Sequence, residues 1–352
     1  MAVWVAAPPQ VGGRVAAVAH AFGLRDASMV QRLQRSGTLL DLESAVLEPV
    51  SPIGAALQAY FTRGVRERHR MTFILNSQEQ GRRLRGFIQV QARAARPEAD
   101  IVFLAPSLGS RDSGATPEAW ERLLAFACQQ VGATQRQRVF ARLPTGDSEA
   151  IEIFRHVGFV VYAQEHIFRL DRTPAALPAT GLPLRPYEPR DRWGVQRLYC
   201  HAAPRPVQQL ECLPGGGWAI PGVSLSREAQ QYVWEVESEL HGYVSVRRGV
   251  HGAWLHAFVD YDNLEATDDL VICGLALLGP GVRPVFCAAR GYEPGLQHSL
   301  QRLGFRPHGS FLLLAKSTTA PIREPVLNWL AVPERGVEAA PTPSRIHAAS
   351  RR

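Results

Sequence analysis

Two groups of residues in this sequence could do acid–base chemistry. Glu98 and Asp100 stand at the head of a strand-like run over residues 100–105. A carboxylate so placed could accept a proton as a general base; the plainer role for both is that of solvent-exposed turn residues. His241, His251 and His256 form the second group, with His256 inside a strand-like run and the other two flanking the neighbouring turn. Grouped imidazoles can be bases or metal ligands. Their spacing matches no standard metal pattern, so ordinary hydrogen-bonded histidines are expected and no metal site is.

Other residue sets point to binding. The formal net charge is +7, almost all from arginine, with Lys316 the only lysine. Arginine is densest at residues 63–70 (RGVRERHR) and 82–85 (RRLR). Such a patch could meet an anionic ligand or nucleic acid. No aromatic residues interleave with it as a single-strand binder needs, so a solvated helix end and a hairpin turn are expected, and nucleic acid is not. Trp218, Trp234 and Trp254, with Tyr232, Tyr243 and Phe258, could line a stacking pocket, although large aromatics more often fill a core. No P-loop, G-x-S-x-G, H-E-x-x-H or zinc-finger spacing occurs, which leaves kinase, hydrolase and metalloprotease readings without support.

The elements that must position these residues come in two copies. Residues 139–159 read VFARLPTGDSEAIEIFRHVGF and residues 285–305 read VFCAARGYEPGLQHSLQRLGF. Both open on Val-Phe and close on Gly-Phe at the same spacing. Upstream, Gly86-Phe-Ile-Gln-Val90 is matched by Gly242-Tyr-Val-Ser-Val246. An internal repeat of this length implies two domains of one fold. The boundaries fall at 13–170 for the N-terminal copy, 171–183 for a Pro/Ala/Thr-rich linker, 184–316 for the C-terminal copy and 317–352 for a partly disordered tail. Periodicity predicts helices over 26–35, 52–61, 116–131, 147–156, 190–201, 263–278 and 294–303. Strands are predicted at 71–76, 84–91, 100–105, 138–143, 159–170, 184–187, 231–236, 242–247, 253–260, 285–288 and 305–315. The first strand of the N-terminal copy falls within 14–20, a stretch that suits a helix equally well, and residues 203–222, rich in proline and glycine, are expected to form an irregular loop. Each copy thus ends in strand, helix, strand and completes its own unit: an α/β (α+β) arrangement with a mixed, mostly antiparallel sheet flanked by helices.

Hydrophobic residues make up 46% and charged residues 20% of the chain, the values of a soluble globular protein. Apolar runs stop well short of the roughly 20 residues that a membrane span needs. Residues 1–11 lack a basic leader and contain Pro8 and Pro9, so no signal peptide is expected. The cysteines are Cys128, Cys200, Cys212, Cys273 and Cys287, widely spaced and without a C-x-x-C pair, which predicts reduced thiols in a cytoplasmic protein.

This order of elements, with its Gly-Phe step after the last helix, resembles the GNAT N-acetyltransferase superfamily. The chain is similar to a tandem pair of such domains, both degenerate in the usual motifs. In that family, acetyl-CoA lies in a V-shaped opening between the fourth and fifth strands. Its pyrophosphate is held by backbone N–H groups of a loop, R/Q-x-x-G-x-G/A, that leads into the next helix, where free N–H donors favour anions. The resemblance therefore implies acetyl-CoA (acyl-CoA) as cofactor. Carried onto this sequence, the loop is residues 110–116, with Ser110, Arg111, Gly114 and Thr116 as binding residues and the backbone of Leu104 and Ala105 as oxyanion donors. Thr116 replaces the final small residue, and Asp112 places a negative charge in the loop. In the C-terminal copy, residues 260–265 (DYDNLE) have no glycine and three carboxylates, which would repel a diphosphate. The tyrosine acid of the family would fall at Phe154 and Leu300, neither of which can donate a proton. The resemblance thus implies either an acyl-CoA-dependent N-acyltransferase using the N-terminal copy, with an open cleft between residues 101–105 and 138–143, or a non-catalytic relative in which Phe103 or Phe140 plugs that cleft.

Overall fold

The computed structural model describes residues 19–62, 70–79, 82–93, 96–110, 116–211 and 229–318. The N-terminal copy runs β1 (His20–Ala21), α1 (Ala27–Leu33), β2 (Thr38–Leu39), α2 (Leu42–Leu47), α3 (Pro52–Phe61), β3 (Arg70–Glu79), β4 (Arg82–Ala92), β5 (Glu98–Ala105), α4 (Pro117–Ala133), β6 (Arg138–Pro144), α5 (Ser148–His156) and β7 (Val160–Leu170). The C-terminal copy follows with β8 (Leu184–Pro186), α6 (Arg192–Ala202), α7 (Arg205–Glu211), β9 (Gln230–Val236), β10 (Glu239–Arg248), β11 (Ala253–Val259), α8 (Thr267–Leu278), β12 (Val285–Arg290), α9 (Pro294–Arg302) and β13 (Arg306–Ser317). No helix among the described residues is long and apolar enough to cross a membrane.

Local chemistry accounts for the main helices. Thr116 caps α4 by accepting from Ala119 N at 3.2 Å, with Pro117 in the first turn. Asp147 caps α5 by accepting from Ala150 N at 3.1 Å. The matched Gly-Phe steps are helix stops. Gly158 (φ 97°) and Gly304 (φ 86°) take the left-handed conformation after α5 and α9. The amides of Phe159 and Phe305 then donate back to the carbonyls of Phe154 and Leu300, each at 3.0 Å. Leu42–Leu47 and Arg205–Glu211 are helices that periodicity did not predict. The second corrects the expected irregular loop: Pro206 falls in its first turn, where proline is tolerated.

The strands of the described residues join one sheet, in the order β1-β3-β4-β5-β6-β13-β7-β12-β11-β10-β9-β8, with β2 off this path and paired to β5. The copies exchange their last strands. β13 pairs antiparallel with β6 (Leu312 opposite Leu143), β7 pairs antiparallel with β12 (Cys287 opposite Phe168), and β7 and β13 pair with each other at the centre. The expectation that each copy finishes on its own strand is therefore corrected. Leu314 of β13 packs in the N-terminal core with Trp120, Leu123 and Phe154, whereas Phe168 and Leu170 of β7 pack in the C-terminal core with Leu255, Leu270 and Leu300. Each core is completed by the other copy's side chains.

Candidate functional site

In each copy one pair of parallel strands separates. β5 and β6 pair from Glu98–Arg138 to Asp100–Phe140 and then part. β11 and β12 pair from Ala253–Val285 to Leu255–Cys287 and then part. The result is two V-shaped notches, and β5 carries an additional register shift opposite Gln89 and Val90 that β11 lacks.

The N-terminal notch holds a strand of its own copy. β4 takes one edge of β5 along its length, so β2 must lie on the other, the edge facing β6: Thr38 stands opposite Leu104 and Leu39 opposite Phe103. The pairing extends both ways, with Leu40 N donating to Val102 O at 3.0 Å and Ser107 N to Ser36 O at 2.6 Å. Gly37 is needed for this close approach. A Cβ there would lie 2.3 Å from the Phe103 ring and 2.9 Å from the Ala105 Cβ. Leu104 and Ala105 are thus buried under a neighbouring strand. Phe103 instead stacks on Phe87 at 5.5 Å, and Phe140 packs against Tyr162 with the Arg93 guanidinium 4.1 Å above its ring. Past the point where β5 and β6 part, the neighbour of β5 on the side facing β6 is therefore the main chain of β2.

The loop after β5 turns at Ser107–Ser110, where Ser110 N donates to Ser107 O at 3.1 Å; Arg111 and Gly114 lie outside the described residues. At the start of α4, Pro117 has no N–H, Thr116 takes that of Ala119, and the Glu118 carboxylate stands in the same turn. That helix end has few donors left for an anion, and Glu118 is paired with Arg122 at 2.6 Å.

Glu98 and Asp100 are structural in their surroundings. Glu98 is fully buried, 3.0 Å from both Arg93 and Arg96 and 4.0 Å from Arg138, while Asp100 takes both arms of Arg93 at 2.7 and 2.6 Å. Phe154 and Leu300 are fully buried core residues.

In the C-terminal copy His256 lies one residue beyond the last residue of β11 paired with β12, buried, with Nε2 3.3 Å from Glu43 Oε1 of α2. His241 bonds Asn263 at 3.1 Å, and His251 lies in the turn between β10 and β11. The three histidines do not converge, and no metal-ligating group occurs among the described residues. Residues 261–266 form a 3-10 turn into α8, whose first turn carries Asp268 and Asp269. The aromatic set is core: Tyr243 stacks on Phe258 at 5.9 Å and Trp254 on Phe286 at 5.7 Å. Trp218 and residues 63–69 fall outside the described residues. Arg70 bonds Gln91 at 3.0 Å and Arg85 bonds Asn76 at 3.3 Å. Cys128, Cys273 and Cys287 are free thiols, but Cys200 is disulfide-bonded, which corrects the expectation of an all-reduced set.

A buried ionic cluster joins the copies. Glu211, at the end of α7, accepts from Tyr162 Oη at 2.6 Å, from Tyr199 Oη and from Arg290 Nη2 at 3.2 Å. Glu165 bridges Arg142 at 2.8 Å and Arg290 at 3.7 Å. Burial and the nearby carboxylate push the Tyr162 and Tyr199 hydroxyls well above the usual phenol range. Burial alone would lower Arg290, but Glu211 and Glu165 outweigh it and hold the guanidinium charged. Next to it Glu293, buried and accepting from Arg290 N at 2.8 Å, is pushed up to about 7, chiefly by loss of solvent. Sequence reasoning missed this cluster, since Glu211 belongs to no motif, Arg290 has only Pro144 at the matching position of the repeat, and the two meet only through the fold.

Setting aside the short β2, both notches lie between the fourth and fifth strands of their copy, and the resemblance seen in the sequence can be compared with known structures. A GCN5-related N-acetyltransferase from Sphaerobacter thermophilus superposes with a TM-score of 0.50 at 14% identity, over 86% of this chain and 96% of that one. The chain has the GNAT fold. A tandem GNAT protein of the clavulanic acid biosynthesis pathway matches at a TM-score of 0.49 and 16% identity, over 86% of this chain and 99% of that one. A putative acetyltransferase from Pyrococcus horikoshii matches at 0.46 and 12%, over 89% and 93%. No family profile and no curated protein matches the sequence. Likeness at this level of identity fixes the GNAT fold and leaves the chemistry to the residues in the notches.

Proposed function

We propose that this chain is a non-catalytic tandem GNAT-fold protein that binds a ligand or protein partner, and that it does not take acyl-CoA. One observation carries the reading: the edge of β5 along which a GNAT donor would lie is paired with the chain's own β2. Further features support it. The first turn of α4 is self-capped and acidic, the C-terminal notch opens on Asp260, Asp262, Glu265, Asp268 and Asp269, and apolar Phe154 and Leu300 replace the proton donor. The self-capped start of α4 and the acidic residues of the C-terminal copy argue against a diphosphate-bearing cofactor; residues 111–115 of the loop between β5 and α4 lie outside the described residues.

A second reading, an acyl-CoA-dependent N-acyltransferase with its donor in the N-terminal copy, is favoured by the preserved separation of β5 from β6 and by the shortness of β2. Leu104, Ala105, Ser110, Arg111, Gly114 and Thr116 would then surround acetyl-CoA, with Glu98 or Asp100 as base. Calorimetric titration of acetyl-CoA into the full chain separates the two. No saturable heat is expected. Micromolar binding that disappears in an Arg111→Glu/Gly114→Asp variant would overturn the first reading and install the second.

A further inference from the structure

We propose that the C-terminal copy holds the N-terminal notch shut, using α2 as the clamp. β2 itself is only two residues long, with Leu39 about half exposed (49%). The chain between β2 and α2 has no slack: Leu40 N is bonded to Val102 O at 3.0 Å, and Asp41 caps α2 by accepting from Ser44 N at 3.1 Å. The position of α2 therefore fixes that of β2.

The C-terminal copy sets the position of α2 from several sides. Val46 and Leu47 are buried in a cluster with Trp254 and Phe286 of the C-terminal copy and Ile167 of β7. The last carbonyls of α2, which a free helix leaves unpaired, accept from the turn between β10 and β11: His251 N to Val46 O at 3.0 Å and Val250 N to Leu47 O at 3.1 Å. Two side-chain contacts flank these bonds, a hydrogen bond between Glu43 and His256 at 3.3 Å and an ion pair between Glu48 and Arg247 at 2.5 Å. The fit admits only glycine at Gly249, where a Cβ would lie 2.2 Å from Leu47 Cα and 2.5 Å from its carbonyl oxygen. Whatever moves this hairpin moves α2 and, two residues upstream, the strand that covers β5.

Hydrogen exchange followed by mass spectrometry on the full chain tests the coupling. Gly249→Ala forces α2 off the hairpin. The expected result is amide exchange at least about tenfold faster over residues 36–41 and 101–105, with β3, β4 and β10 unchanged, as for local opening of one cooperative unit. Faster exchange over 42–47 while 36–41 and 101–105 keep wild-type protection would overturn the proposal. If Gly249→Ala loses protection throughout, the milder Glu43→Gln/Glu48→Gln variant decides by the same two outcomes. The readout contains no acetyl-CoA. A failed coupling leaves the binding-protein reading standing, and a failed binding-protein reading leaves the coupling measurable.

Discussion

Replacing Glu211 with leucine should be among the most damaging single changes in this protein. The side chain is 1% exposed and serves three donors: Tyr162 at 2.6 Å, Tyr199, and Arg290 at 3.2 Å. Removing one partner of a buried ion pair costs about 3–5 kcal/mol. Each tyrosine hydroxyl left dry adds about 1–3 kcal/mol, offset in part by the burial of leucine and by Glu165, which stays 3.7 Å from Arg290. A net loss of about 4 kcal/mol follows. At roughly 2 °C per kcal/mol for a large unit, the thermal midpoint should fall by about 8 °C. Urea unfolding followed by circular dichroism gives the same quantity. The partner experiment is Glu211→Leu with Arg290→Met, which swaps the pair for apolar side chains and should recover the part of the loss due to the unpaired charge, leaving the cost of the two dry tyrosine hydroxyls. A loss below about 1 kcal/mol in the single variant, or a double variant as damaged as the single, would refute the account of this cluster as the tie between the copies.

Gly37→Ala puts a Cβ 2.3 Å from the Phe103 ring; it should cost about 1–3 kcal/mol by overpacking and loosen residues 36–40 in hydrogen exchange. Glu293 titrates at about 7 in the fold against an ordinary 4.5, chiefly through burial. The folded chain thus holds a proton that the unfolded chain has released, and the stability linked to it is full below pH 4.5 and lost as pH rises to about 7. Glu293→Gln should flatten that part of the pH dependence, so a variant that tracks wild type from pH 4.5 to 8 in urea midpoint would argue against it. Among the free thiols, Cys128 is buried and pushed up to about 11, and Cys287 is buried and raised further still. Cys273, half-buried, should therefore react first with a thiol reagent in the native protein, as peptide mapping would show.

The repeat was the most legible part of the sequence because it has a stereochemical cause. A glycine in the left-handed region must end α5 and α9, and the phenylalanine after it must return to the core, so Gly158-Phe159 and Gly304-Phe305 recur at one spacing. The long amphipathic helix α4 and the strands flanking it were readable for similar reasons. What could not be read depends on lateral neighbours. β7 and β13 have the same alternating pattern whichever β6 or β12 they join, so their exchange leaves no local trace. β2 is two residues long, too short for any period. In α7, Pro204 and Pro206 look like a loop, although a proline in the first turn is compatible with a helix. Glu211 drew no notice for the same reason, since it closes a helix that periodicity did not reveal. Glu98 was legible as a carboxylate at a strand head, but not as the centre of three arginines, two of which come from the adjacent turn.

The strand exchange also bears on how the chain is made. A protein leaves the ribosome from its N-terminus, and an ordinary first domain can finish folding while the second is still being synthesised. Here the edge of β6 receives its partner only when Arg306–Ser317 has emerged, and Leu314 fills a core whose other members were made more than a hundred residues earlier. Until then the first half presents an unpaired strand edge and an incomplete core, features that invite wrong partners. A ribosome-bound chain stopped at residue 183 should accordingly be protease-sensitive and chaperone-bound, and its release into the native state should be timed by the last strand rather than by the first domain.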